Sequence, residues 1–351
     1  MPEPLPRPSH DPTPIFEAFR GSYATELLVA AVAHFDLFER LAVRPKSLAE
    51  LRGELELAER PAIVLTTALR AMGLLTTDAD GRLGLTPLAA EQLLADRGFD
   101  ITGYLRLRAD SPGVVEMVEH LRSDRPAGSR PDEQGAAFIY RTGVESAMEK
   151  EASARRLTLA LAGRARNVAP RLAEVLPLDR AHCLLDVGGG TGIYAIGWLR
   201  RHAHLRAVVW DRPEVTKIAR EMAVEYGVAE RLSTYDGDMF SDEPPAGCDA
   251  ILLSNVLHDW DVPLCRLLVG KCAAVLPPGG QLLIHDVLLD DDLSGPLPVA
   301  LYSAALFTMT EGRAYSAAEF SGWMRDVGLI VEPSRPTLVH CAVLVGRKPA
   351  H

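Results

Sequence analysis

Two regimes of apolar spacing divide this chain. From Pro14 to Leu41, residues Ile15, Phe19, Leu27, Leu28, Ala31, Val32, Phe35 and Leu37 approximate helical spacing, and Leu27 to Ala33 is apolar almost all round, so that helix wants burial on several faces. Ser47 with Glu50 three residues on has the pattern of a capping box opening SLAELRGEL, and a second helix, RPAIVLTTALRAMG, ends at Gly73 where a C-cap glycine belongs. The segment LLTTDADGRLGLT then reads as a hairpin turning at Asp80-Gly81, which makes residues 14–98 a winged helix-turn-helix. Residues 99–170 read as a helical connector broken at Pro112, Pro126 and Pro131, with EKEASARRLTLALAGRA its longest amphipathic piece. From Cys183 onward the runs CLLDV, AVVWD, AILLSN, QLLIHDV and CAVLVG alternate with helical stretches, the pattern of a parallel sheet flanked by helices. The segments LIVEPSRPT and LVHCAVLVGR fold back as an antiparallel edge, completing an α/β domain over residues 171–351.

Composition narrows the picture. At 351 residues and 48% hydrophobic content, the chain exceeds the size at which one core usually stops growing, so two domains are expected. The opening MPEPLPRPSHDPTP is Pro-rich without an apolar run; residues 1–13 read as a disordered lead-in with no secretory signal. The longest apolar stretches fall well short of the ~20 residues of a membrane helix, and a cytoplasmic, membrane-free protein is expected. Five cysteines without CxxC or zinc-ligand spacing read as buried free thiols, and no metal is implied. A formal charge of −10 opposes binding to a phosphate backbone, and the recognition-helix position of the wing carries only Arg60 and Arg70. The wing and the apolar first helix are therefore expected to form a dimerisation face, with a DNA-binding regulator as the weaker alternative.

The chemistry gathers where the first strand of the α/β domain runs into DVGGGTG. Gly188, Gly190 and Gly192 stand in G-x-G-x-G spacing between Asp186 and the helix IYAIGWLRR. A tight strand-to-helix turn of this kind needs positive φ and no Cβ where a ligand approaches. Asp211 closes the next strand, VVWD, at the position from which a carboxylate accepts hydrogen bonds from ribose hydroxyls. Together these specify an adenosine-bearing cofactor. The dinucleotide fingerprint requires glycine or alanine at position 193, and Ile193 stands there, so a nicotinamide cofactor is the runner-up.

DVGGGTG, then GDMF at Gly237 to Phe240, SNVLHDWD at Ser254 to Asp261 and LLIHD together resemble the plant-type and bacterial small-molecule O-methyltransferases, over nearly the whole chain. The resemblance implies a Rossmann-like class I methyltransferase domain, a winged N-terminal domain that makes a homodimer, and a small-molecule acceptor hydroxyl on an aromatic or polyketide-like compound. It implies that S-adenosyl-L-methionine is held by Asp186, Gly188, Gly190, Gly192, Asp211, Asp238, Met239, Phe240, Ser254 and Trp260, and leaves as S-adenosyl-L-homocysteine. His258 falls at the general base and Asp286 at its orienting carboxylate; a neutral imidazole suits removal of a phenolic proton. By the same resemblance the acceptor pocket is lined by Phe138, Tyr140, Met148, Asn255, Tyr302, Phe307 and Met309. The family's second carboxylate position, in MTEGRAYS, holds Ala314, with Glu311 or Tyr315 as stand-ins. That departure leaves open an N- or C-methyltransferase, or a member that binds the cofactor and has left methyl transfer.

Overall fold

The computed structural model describes residues 3–95, 98–125 and 151–350. The chain begins with helices α1 (Thr13–Phe19), α2 (Ser22–Ala33) and α3 (Leu37–Val43). The single long helix suggested by apolar spacing is thus three, because the chain turns after Phe19 and Asp36 adopts the left-handed conformation at φ 45°. Helix α4 (Leu48–Leu55) opens with the reciprocal Ser47–Glu50 capping box, and α5 (Glu59–Ala71) stops ahead of Gly73 at φ 73°. The hairpin β1 (Leu75–Thr77) and β2 (Leu83–Leu85) forms the wing. Helices α6 (Pro87–Gln92), α7 (Thr102–Arg106) and α8 (Pro112–Ser123) follow; Pro112 starts α8 rather than breaking a helix, since the first turn needs no donor there. Pro126 and Pro131 lie outside the described residues.

Helix α9 (Glu151–Val175) leads into β3 (Cys183–Val187), α10 (Ile193–Arg201), β4 (Arg206–Asp211), α11 (Pro213–Glu225), β5 (Leu232–Asp236) and β6 (Ala250–Ser254). A single 3-10 turn, Leu257–Asp259, precedes α12 (Val262–Val275), β7 (Gln281–Leu289) and α13 (Leu297–Met309). The chain ends with β8 (Tyr315–Ser316), α14 (Ala317–Asp326), β9 (Ile330–Val331), β10 (Arg335–Pro336) and β11 (Cys341–Arg347).

The main sheet runs β10-β11-β7-β6-β3-β4-β5, parallel from β7 to β5, with β11 antiparallel to β7 and β10 antiparallel to β11. Successive residues of each inner strand bury on opposite faces: Leu184, Val209 and Leu252 join one apolar layer with Trp198, and Leu185, Trp210 and Ile251 join the other with Trp323. Strand order reverses between β3 and β6, the switch point at which open α/β sheets bind ligands beyond the carboxyl ends of their strands.

Two compact units are present, and neither is one continuous stretch. The sheet-bearing unit includes the chain up to Phe16 and the described parts of residues 139–288 and 315–351; the other combines the described part of residues 17–138 with Leu289–Ala314. The expected boundary at 170/171 falls inside α9, whose Val168, Ala169, Leu172 and Ala173 are buried in the same layer as Trp198. The lead-in expected to be disordered places Leu5 in that layer too. Helix α13 packs on α5 in the N-terminal unit, although it follows β7 in sequence.

Candidate active site

The glycine turn joins β3 to α10, with Gly188, Gly190 and Gly192 at φ 61°, 60° and 70°. Among the described residues, a Cβ at Gly190 would have Thr158 Cγ2, 4.0 Å away, as its one neighbour, so glycine there serves the backbone conformation at φ 60°. At Gly189 a Cβ would sit 2.7 Å from Asp186 Cγ, which shows how closely the turn wraps that carboxyl. Both Asp186 oxygens are buried without a well-aligned hydrogen-bond partner among the described residues. Burial pushes this carboxyl up to about 7, partly offset by the nearby Ala195 amide and increased by neighbouring Asp211. Asp211 accepts the Gly190 amide at 2.9 Å through one oxygen and the Arg212 amide at 2.8 Å through the other. Burial raises it as well, against those two bonds.

Beyond β5, Asp238 folds its own loop by accepting the amides of Phe240 at 2.8 Å and Ser241 at 3.2 Å, with Arg212 3.6 Å away. The Phe240 ring meets Trp260 edge to face, centroids 4.6 Å apart. Met239 reaches the glycine turn: its Sδ lies 3.9 Å from where a Gly188 Cβ would be.

At the end of β6 the chain makes a polar knot. Asn255, at φ 54°, takes a hydrogen bond from Arg164 Nη1 at 2.8 Å and donates to Ser254 Oγ and Tyr194 Oη. Ser254 Oγ also meets His285 Nδ1 at 2.9 Å, and His285 Nε2 meets Thr337 Oγ1 at 3.0 Å. Burial lowers His285 to about 3, so it is a neutral strut of the sheet. His258 lies in the 3-10 turn, buried, with Nδ1 2.5 Å from Asp286 Oδ1 on β7. The geometry assigns Nδ1–H to the carboxylate and turns Nε2 away from it. Asp259 Oδ1 lies 3.6 Å from that Nε2. Burial pulls the imidazole down, but Asp286 and Asp259 outweigh it and its pKa is raised; burial pushes Asp259 up to about 7.

A family profile described as the O-methyltransferase domain matches residues 132–329. The chain belongs to the S-adenosylmethionine-dependent O-methyltransferase family.

Among this methyltransferase's relatives, the 3-hydroxy-5-methyl-1-naphthoate 3-O-methyltransferase of Streptomyces sahachiroi is 36% identical, over 90% of this chain and 89% of its own. The tetracenomycin polyketide synthesis 8-O-methyl transferase of Streptomyces glaucescens is 28% identical over 96% of this chain and 97% of its own. The crystal structure of an O-methyltransferase family 2 protein from Planctomyces limnophilus, in complex with apigenin, superposes with a TM-score of 0.88 at 47% identity, covering 99% of this chain and 98% of that one.

The residues of this O-methyltransferase fit its cofactor. The buried Asp186 carboxyl, without a well-aligned hydrogen-bond partner among the described residues, stands beside the glycine turn and suits a cationic ligand, and Asp211 keeps lone pairs for hydroxyl donors. The other residues expected at the site are not all placed alike. Phe138, Tyr140 and Met148 lie outside the described residues. Tyr302, Phe307 and Met309 belong to α13 in the N-terminal unit: Phe307 is packed in the core beneath Arg60, Tyr302 carries Arg20 over its ring at 3.7 Å, and Met309 is exposed. Tyr315 does not stand in for the carboxylate absent at Ala314, because its hydroxyl donates to the Trp260 carbonyl at 2.7 Å. Glu311 sits in the N-terminal unit. A residue that the sequence does not single out is Asp259: neighbours point apart on regular elements, and the irregular turn brings its carboxyl to Nε2.

Proposed function

We propose that this enzyme methylates a hydroxyl of a planar aromatic or polyketide-like molecule, with His258 as general base. The observation that carries the reading is the 2.5 Å contact of His258 Nδ1 with Asp286, which leaves Nε2 as the nitrogen that receives a proton. Asp186, Gly188, Gly190, Gly192, Asp211, Asp238, Met239, Phe240, Ser254 and Trp260 hold the cofactor around the glycine turn. Bound there, S-adenosylmethionine supplies a methyl group already activated on a sulfonium. His258 takes the acceptor's hydroxyl proton at Nε2 as the oxygen becomes nucleophilic, and Asp286 holds the ring and stabilises the imidazolium. Asp259 supplies the second carboxylate at Nε2, in place of the one absent at Ala314. The named substrates of the naphthoate and tetracenomycin relatives and the apigenin bound by the Planctomyces protein support an aromatic acceptor.

The functional assembly is a homodimer. The apolar run expected to form that face is buried within the N-terminal unit at Leu27 and from Val29 to Val32, whereas Phe19, Tyr104 and Leu107 of the same unit are exposed at 82, 76 and 78% and are the apolar side chains a partner would cover.

The acceptor class is tested by incubating the enzyme with methyl-labelled S-adenosylmethionine and a panel of hydroxylated naphthoic acids and flavones. A labelled methoxy resonance in the product is expected; label on ring carbon or amine nitrogen, or transfer to none of the panel, contradicts the reading.

A further inference from the structure

The strands that carry the site at one end bring two thiols together at the other. Cys183 opens β3, Cys248 stands two residues before β6, and their Sγ atoms are 2.9 Å apart, inside van der Waals contact. The backbone holds them there. The Asp249 amide donates to the Cys183 carbonyl at 3.1 Å, and the Asp249 carboxylate accepts the Cys183 and His182 amides at 3.0 Å. Cys265, Cys272 and Cys341 are buried.

The two thiols differ in the way a nucleophile differs from a resolving group. Cys183 is partly open to solvent, and the hydrogen bond from Cys248 lowers it, with Arg206 assisting against burial and Asp249. Cys248 is 4% exposed, and that same hydrogen bond together with burial raises it.

We propose that Cys183 and Cys248 form a reversible disulfide by exchange with a low-molecular-weight disulfide. The Cys183 thiolate attacks one sulfur of that disulfide, forming a mixed disulfide and releasing one thiolate. Cys248, its proton passing to the departing thiolate, then attacks Cys183 Sγ and releases the second half as a thiol. The protein loses two hydrogens and the small disulfide gains them. The bond ties β3 to β6 at the ends opposite the glycine turn and His258, closing a loop that contains β4 and β5, and a cross-link over so long a loop restricts the unfolded chain.

The test uses the full chain equilibrated with glutathione disulfide, alkylated, digested and read by mass spectrometry. The expected result is one cross-linked peptide joining Cys183 to Cys248, reversible with dithiothreitol, with the other three cysteines alkylated and the oxidised protein melting at a higher temperature than the reduced. The Cys248→Ser variant should stop at glutathione on Cys183, and Cys183→Ser should leave Cys248 unreacted until the protein is denatured. A wild-type protein that stops at the mixed disulfide, cross-links other cysteines, stays fully alkylatable, or melts no higher when cross-linked overturns the proposal.

Discussion

His258 works against its surroundings: burial disfavours the imidazolium, and two carboxyls restore it. A base must be neutral to act, so the rate is expected to climb as pH rises through the raised His258 value and to level above it. Asp259→Asn removes one of the groups that raise it, so the acidic limb of kcat should move to lower pH while the plateau falls about tenfold, ~1.4 kcal/mol of lost imidazolium stabilisation. A pH-rate profile checks both, and an unchanged limb means Asp259 does not touch the base. Residues within contiguous motifs were legible from sequence: Asp186 and Asp211 lie in the last two residues of β3 and β4, and His258 and Asp286 stand in LHDW and LLIHD, the motifs that carry the family resemblance. Asp259 was not, because its reach to Nε2 depends on a three-residue turn whose dihedrals no periodicity encodes.

At the scale of elements, the strand–turn–helix from β3 to α10 stores an unfavourable charge. With Asp186 raised from 3.8 to about 7, the folded apo-enzyme binds more protons than the unfolded chain between those values, so its stability falls as pH rises through that window, by up to ~4 kcal/mol. A cationic ligand at the turn favours the ionised carboxyl and should release a proton when it binds. Calorimetric titration with S-adenosylmethionine near pH ~6.5, in buffers of different ionisation enthalpy, should show that release in the wild type and its loss in Asp186→Asn. Equal heats in all buffers for the wild type would disconnect Asp186 from the cofactor. The buried strands, the capping box and the wing were readable because each obeys a local rule. Edge strand β5, LSTYD, escaped notice because most of its residues are exposed or half-exposed, which weakens the apolar signal.

For the whole molecule, long-range packing sets what local patterns miss. Helix α13 joins the N-terminal unit by packing on α5, and Leu5 enters the sheet unit's core from a Pro-rich opening; neither contact leaves a periodic trace. If the exposed apolar face of the N-terminal unit is the dimer surface, Leu107→Glu and Phe19→Glu should convert a dimer into a folded monomer in analytical ultracentrifugation. A monomeric wild type would contradict that assembly. The most direct test of the central claim is single-turnover methyl transfer by His258→Ala, with cofactor affinity measured in parallel. Unchanged affinity for S-adenosylmethionine is expected, with a rate lower by roughly 10²- to 10⁴-fold; full turnover in the variant would show that acceptor deprotonation does not depend on His258.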